Sequence, residues 1–432
     1  MMKTWSVVGV RHGVLVVLCR MYFVAYVDRV NISVAAPMIR KEFGLTPTEL
    51  GLVFSAFAYP YAAMQIAGGW LSDRFGPRLV LATLSIFWAA GTVLTGLSWG
   101  VASLVAFRVL VGLGEGGAFP TATRALTYWM PVAERGFAQG VVHASARLGG
   151  AVTPPVVLAI VAASGWRTAF LALGSVSVLW TLLWAVSFRN RPDEHPAIAV
   201  QELAQLRDVL RATPPAAGRT PWRALVSRMW LVALVDFCYG WSLWVFLTWL
   251  PSYLAEARGF HLNELAIMTM LPLLAGVLGD AIGGALSDAI YRRTGNLRLA
   301  RVGVLVAGLV GAFAFIVPAA RTASPSGAVY ALAAAFFCLE LTNAALWALP
   351  IDIAGPFAGT AGGMMNTGFG IAGMISPVAF GVIIQRTGRY DIPFLISAAL
   401  LIAGAGAALL IDPMRTIFDN DRSVPVERKA LA

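Results

Sequence analysis

Nine charged residues stand inside runs that are otherwise apolar: Arg20, Asp28, Arg29, Arg108, Glu115, Arg147, Asp236, Asp280 and Glu340. An arginine in such surroundings stays charged and offers a planar fork that fits a carboxylate bidentately. A partly desolvated acid beside arginines takes up a proton when its partner moves away. Asp28 and Arg29 are adjacent, so on a helix they point about 100° apart; Arg29 suits an anionic ligand and Asp28 proton coupling. Arg108 and Glu115, seven residues apart, fall within about 20° of each other on one helix face. Glu115 sits in Gly114-Glu115-Gly116-Gly117, small residues that let helices approach closely and bend. Arg147 has His143 four residues earlier on the same face. The plain alternative for each group is an ion pair that locks two helices, and it is the preferred reading for Arg20, Asp236, Asp280 and Glu340. No GxSxG, HExxH or P-loop accompanies these residues. Cys19, Cys238 and Cys338 lie in apolar stretches without CxxC spacing, as small core residues rather than metal ligands or a disulfide framework.

A charge near mid-bilayer costs several kcal/mol, so such residues face a cavity or one another, and the elements around them must be membrane helices. The 432 residues are 58% hydrophobic and 12% charged, with mean hydropathy +0.74, against about 45–50% and about 25% in soluble domains. That excess excludes a soluble enzyme and a disordered chain alike, and the length holds about twelve spans of about 20 residues. Apolar runs are read at 13–37, 48–71, 79–99, 101–124, 136–163, 167–188, 229–254, 262–290, 302–320, 326–350, 360–385 and 391–411. The first is too long for a cleaved signal peptide and carries Arg20, Asp28 and Arg29. The one long polar stretch, rich in Pro, Gly and charge, reads as a linker, with a short amphipathic helix expected near 197–211. The chain therefore divides into a six-helix bundle over 1–188, a cytoplasmic linker over 189–228, a second bundle over 229–411 and a cytoplasmic tail over 412–432. The 32 Lys and Arg concentrate in the ends and loops of one side, which places both termini in the cytoplasm. Scattered through short loops, they explain the net charge of +10 by topology rather than by nucleic-acid binding.

The two halves echo each other. Gly68-Gly69-Trp70-Leu71-Ser72-Asp73-Arg74 closes the second span, and Gly283-Gly284-Ala285-Leu286-Ser287-Asp288 closes the eighth. Gly136, Gly140, Gly150 and Pro154 in the fifth span correspond, at one constant offset, to Gly359, Gly363, Gly373 and Pro377 in the eleventh. Paired six-span halves with Gly/Pro-interrupted helices at matching places are the pattern of a secondary transporter, with its site between the halves at mid-membrane. Gly69-x-Leu71-x-Asp73-Arg74-x-Gly76-x-Arg78 resembles the signature loop of the major facilitator superfamily. Tyr26-Val27-Asp28-Arg29-Val30-Asn31 resembles the first-helix signature of its anion:cation symporter branch. So do Ser55-Ala56-Phe57-Ala58, Gln65-Ile66-Ala67-Gly68-Gly69-Trp70 and Phe246-Leu247-Thr248-Trp249-Leu250-Pro251-Ser252-Tyr253-Leu254. That branch includes bacterial permeases for galactonate, glucarate, hexuronates and tartrate.

The resemblance implies an all-α membrane protein with twelve transmembrane helices in two pseudo-symmetric six-helix bundles. It implies no catalytic or metal site, and no cofactor beyond a proton gradient as energy source. The implied activity is proton symport of a small organic anion, a sugar acid or other (di)carboxylate, by a monomer in lipid. Arg29 is then the substrate's carboxylate ligand, with Tyr26, Tyr61, Arg108, Trp347 and Asn366 as further binding residues; Asp28 and Glu115 are the protonation sites. Arg147 departs from sugar-monoacid relatives, which tend to carry glutamine there. It implies a second carboxylate on the substrate or a less hydroxylated substrate, or it neutralises an acid such as Glu115 or Asp236. Asp73 and Arg74, with Asp288, belong to the cytoplasmic gate, where a carboxylate at a helix end caps a neighbouring helix N-terminus or pairs with arginine. The rival reading, an organophosphate:phosphate antiporter on the same fold, needs an arginine on the seventh span, and 229–254 contains none. The Ala- and Arg-rich composition, with three Lys, places the protein in a bacterial inner membrane.

Overall fold

In hydrocarbon no water is available to the backbone, so long apolar runs satisfy their own N–H and C=O groups as helices. A computed structural model describes residues 9–418 except 46–48, 50–52, 55, 208–209, 211–218 and 261. Twelve long helices carry nearly all of these residues. They are α1 (Val10–Phe43), α2 (Ala58–Phe75), α3 (Pro77–Gly96), α4 (Val101–Trp129), α5 (Arg135–Ser164) and α6 (Trp166–Ser187). The second six are α7 (Trp222–Ser252), α8 (Leu262–Thr294), α9 (Leu299–Arg321), α10 (Pro325–Ala354), α11 (Ala358–Thr387) and α12 (Asp391–Ala408). Gly76 (φ 83°) turns α2 into α3 and Gly165 (φ 82°) turns α5 into α6, backbone conformations that only glycine adopts without strain.

Packing repeats between the halves. In the first, α1 packs on α5 and α6, α4 on α2 and α3, and α3 on α6; in the second, α7 packs on α11 and α12, α10 on α8 and α9, and α9 on α12. The halves meet through two matching seams, α2 against α11 and α5 against α8. Among the described residues nine stretches are long and apolar enough to cross a membrane, one of them, Pro325–Ser376, running from α10 into α11. Of the seam helices, α2 falls short because Gln65, Ser72 and Asp73 lower its hydropathy, whereas α5 qualifies only as two stretches, Val132–Thr153 and Pro155–Ser164, bent at their junction. Outward-facing Leu179, Val186 and Leu278 stay exposed, as a surface bathed in lipid requires.

One boundary differs clearly from the sequence expectation. α7 begins at Trp222 rather than near 229, because Arg223 and Arg228 hide its first turns from hydropathy. Among the described residues the linker carries a helix at Val200–Gln205; part of the expected 197–211 lies outside them, as do much of the remaining linker, Ser55 and the tail beyond 418. Glu202 accepts the backbone N–H of Val10 (2.9 Å) and Arg11 (2.8 Å), capping the start of α1. Linker and chain start thus share one face of the molecule, called here the linker face.

Candidate functional site

At the linker face, each half buries a carboxylate in the first turn of a helix from the other half. Asp73, at the end of α2, accepts the N–H of Gly359 (3.0 Å) and Thr360 (2.6 Å) and the Thr360 hydroxyl, all at the start of α11. Asp288, at the end of α8, accepts the N–H of Gly136 (3.1 Å) and Phe137 (2.6 Å) at the start of α5. Unpaired N–H groups and the helix dipole make both positions favourable for an anion. Arginines complete each site: Arg124 stands 3.3 Å from Asp73, and Arg301 lies 2.9 Å from Asp288. Arg301 also donates to Asp352 (2.9 Å), which takes Arg135 from α5 on its other oxygen (3.1 Å).

The repeated Gly-Gly pairs explain how these ends come so close. A Cβ on Gly69 would run into the backbone of Gly359, and one on Gly284 into that of Gly136, both across the seam. The preceding glycines serve packing within each half: Gly68 lies against Gly117 of α4, and Gly283 against the Leu341 backbone of α10.

Between the halves lies a small cavity of about 20 Å³. Its wall includes Tyr26, Tyr61, Phe119, His143, Arg147, Asp236, Tyr239, Trp347 and Asn366. Tyr26, Tyr61, Arg147, Trp347 and Asn366 of the expected binding residues therefore converge on one space. Arg29 lies behind the aromatic wall: its guanidinium carbon is 4.8 Å from the Tyr26 ring centre, 4.9 Å from Tyr61, 5.1 Å from Phe57 and 5.6 Å from Phe119. There it donates through Nε (3.0 Å) and Nη2 (2.7 Å) to one oxygen of Glu115, whose other oxygen lacks a partner. The Gly114–Gly117 run explains why this acid can be so enclosed: Gly114 lies against α3, Gly116 and Gly117 lie against α2, and α4 is interrupted at Gly117. Arg108 is not part of the cavity wall. It is buried, 4.8 Å from the Phe57 ring centre, with its Nε unbonded. Asp28, on the far side of α1 from the cavity, accepts the Ser177 hydroxyl of α6.

Arg147 is held by residues other than those anticipated. It donates to the hydroxyls of Tyr26 (2.5 Å) and Tyr239 (3.0 Å), and across the seam to Glu340 (3.1 Å). Asp280, rather than Glu115 or Asp236, is the second acid near it, at 3.9 Å. His143 bonds the Gln139 carbonyl (2.8 Å) and packs against Tyr22 and Trp347. On α2, Tyr61 and Gln65 receive the Asn366 amide from α11, at 3.4 and 2.8 Å. Arg74 is exposed beside the Trp70 and Phe75 rings, so the arginine that meets Asp73 is Arg124. Sequence reasoning named Asp73 and Asp288 at the linker face but missed Asp352 and the arginines Arg124, Arg135 and Arg301, since an arginine toward a helix end reads as a topology anchor.

Two six-helix halves, tied at their ends around a charged central cavity, are the architecture of a membrane transporter. The chain belongs to the Major Facilitator Superfamily, whose profile matches residues 18–377. It is 63% identical to the probable sulfoacetate transporter SauU of Cupriavidus necator, over 98% of either chain. It is 31% identical to the hexuronate transporter of Bacillus subtilis, over 89% of this chain and 90% of that one. The D-galactonate transporter of Escherichia coli is also 31% identical, over 94% and 97%. These relatives are permeases of the anion:cation symporter type. Among solved structures, the proton:xylose symporter XylE superposes with a TM-score of 0.76 at 14% identity, covering 94% of this chain and 96% of that one. The E. coli fucose:proton symporter FucP gives 0.72 at 15%, covering 92% and 98%. At such identities the likeness is one of fold.

Proposed function

We propose that the protein is a proton-coupled importer of a small organic dianion, a short sulfonate-carboxylate such as sulfoacetate, in a bacterial inner membrane with both termini cytoplasmic. The observation that carries this reading is the Arg29–Glu115 ion pair behind the aromatic wall of the cavity. An incoming carboxylate or sulfonate can take Glu115's place on the guanidinium once Glu115 holds a proton, so anion entry and proton entry require each other. Arg147, a second cation and one that lines the cavity itself, suits a substrate with an acidic group at each end. The relative named for sulfoacetate transport, similar over nearly the whole chain, supports the same class. With the linker face sealed, substrate and protons enter from the opposite face, Asp28 and Glu115 taking protons, and the halves rock to release both inside.

Thermal-shift measurements of purified protein at acidic pH, against sulfoacetate, dicarboxylates, sugar acids and phosphates, test this. The expected outcome is stabilisation by sulfoacetate or short dicarboxylates that vanishes in Arg29→Ala. Charge-assisted hydrogen bonds worth about 1.5–3 kcal/mol each correspond to at least a tenfold loss of affinity. Stabilisation only by phosphates, or an unaltered response in Arg29→Ala, refutes the assignment.

A further inference from the structure

In the first half one carboxylate, Glu115, pairs with Arg29. Two carboxylates of the second half face Arg147 across the seam, and only one of them accepts a hydrogen bond from it. Glu340 of α10 accepts Tyr239 (2.9 Å) and Arg147 Nη2 (3.1 Å) on one oxygen, Oε2. Asp280 of α8 accepts the Asn343 amide (2.8 Å) on Oδ1. The remaining oxygens, Glu340 Oε1 and Asp280 Oδ2, both lack a hydrogen-bond donor. Both converge on Arg147 Nε, at 3.0 and 3.9 Å. One proton between them supplies the donor that both oxygens need. Charge requires the same. Two carboxylates against one guanidinium, all of them nearly or fully shielded from solvent, leave one negative charge uncompensated, and buried groups shed such a charge by protonation. The other titratable groups around the cluster are Tyr22 and Tyr26 of α1, Tyr239 and Asp236 of α7, and His143 of α5.

Resting on the dianion reading above, we propose that Asp280 and Glu340 form a second proton-binding site. The pair holds one proton at rest and takes another when the second acidic group of the substrate displaces Glu340 from Arg147. Arg147 borders the cavity, whereas both acids are fully buried behind it, so the guanidinium is the group that substrate can reach. The cluster is neutral at rest. An arriving anionic group makes it negative, and a proton restores neutrality.

Two measurements on the full chain test this. Infrared spectra of the ligand-free protein read the C=O stretch of protonated carboxyls. Part of that band should disappear in Asp280→Asn and in Glu340→Gln separately, because either change abolishes the shared proton. In proteoliposomes, the voltage and pH at which net sulfoacetate flux reverses give the protons carried per anion. The double variant should carry one proton fewer while still exchanging sulfoacetate without a gradient. A band indifferent to both single changes, or an unaltered stoichiometry in the double variant, overturns the proposal; a mere packing role predicts both. Asp280→Asn leaves the Glu340–Arg147 pair in place, so the infrared arm decides even if the double variant does not fold. If wild type neither binds nor moves sulfoacetate, the dianion reading fails, and the band still judges the acid pair.

Discussion

The buried acids of the linker face and those of the membrane centre differ in one respect: how completely their oxygens are bonded. Every carboxylate oxygen of Asp73, Asp288 and Asp352 has a backbone N–H, a hydroxyl or an arginine as partner. Among the acids buried deeper between the helices, one oxygen each of Asp28, Glu115, Asp280 and Glu340, and both oxygens of Asp236, have no hydrogen-bond partner. A satisfied carboxylate network rigidifies whatever it joins; an unsatisfied one has room for a proton or a ligand. On the proposed mechanism the first set locks one conformation, and the second changes its charge.

Breaking the lock should have the largest effect. Arg301→Ala leaves Asp288 and Asp352 buried without the cation they share, at about 3–5 kcal/mol for a broken buried pair. That loss falls on the state sealed at the linker face. A cysteine replacing buried Ala358, in a background without the three native cysteines, should react with a water-soluble maleimide about a hundredfold faster or more. An unchanged labelling rate would mean that the seal lies elsewhere. Arg147→Ala sharpens the contrast: the acids it abandons have an open oxygen for a proton, so its effect on the same labelling rate should be clearly smaller.

The two kinds of glycine in the repeated motif give an intermediate effect. Gly69→Ala and Gly284→Ala place a methyl against backbone across the seam, an overpacking cost of about 1–3 kcal/mol. Both should speed labelling at position 358, because only the sealed state feels the clash. Gly68→Ala and Gly283→Ala clash within a half, so they should lower the melting temperature and leave the labelling rate nearly unchanged. Equal behaviour of all four variants would remove the distinction between seam and bundle.

Much of this was legible in the sequence, and the illegible part has a common cause. Hydropathy marks helices because the lipid side of each is apolar, and the Gly-Gly-x-x-Ser-Asp repeat names Asp73 and Asp288 because both acids serve the same cap. Partners are harder to read. Which arginine meets Asp73 depends on how α4 lies against α2, so the neighbouring Arg74 looked suitable while Arg124 holds the place. Arg147 looked like the partner of Glu115 or Asp236, yet α5 crosses to α8 and α10, and that contact is a tertiary fact with no local signal. Asp280 and Glu340 drew little attention for the same reason: each alone is an ordinary intramembrane acid, and only their convergence on one nitrogen is informative.

The smallest effect belongs to a carboxylate outside both sets. Glu42 lies beyond Ile32, where the apolar span of α1 ends, and accepts the Trp166 indole and the Arg167 guanidinium. Those two bonds, the indole first, hold it below its ordinary value of 4.5. A carboxyl lowered in the folded state contributes its stability above that ordinary value and loses it as pH falls through the lower one. From about pH 5.5 to 8 its contribution is therefore constant. Both side chains of the Glu42–Arg167 pair are well exposed, at 42% and 39%, so Glu42→Gln should cost no more than about 1 kcal/mol. It should also leave the pH profile of uptake in that range unmoved, since a charge change there belongs to the unsatisfied acids of the membrane centre. A profile displaced by Glu42→Gln would return the pH dependence to the surface and leave those acids without their assigned part.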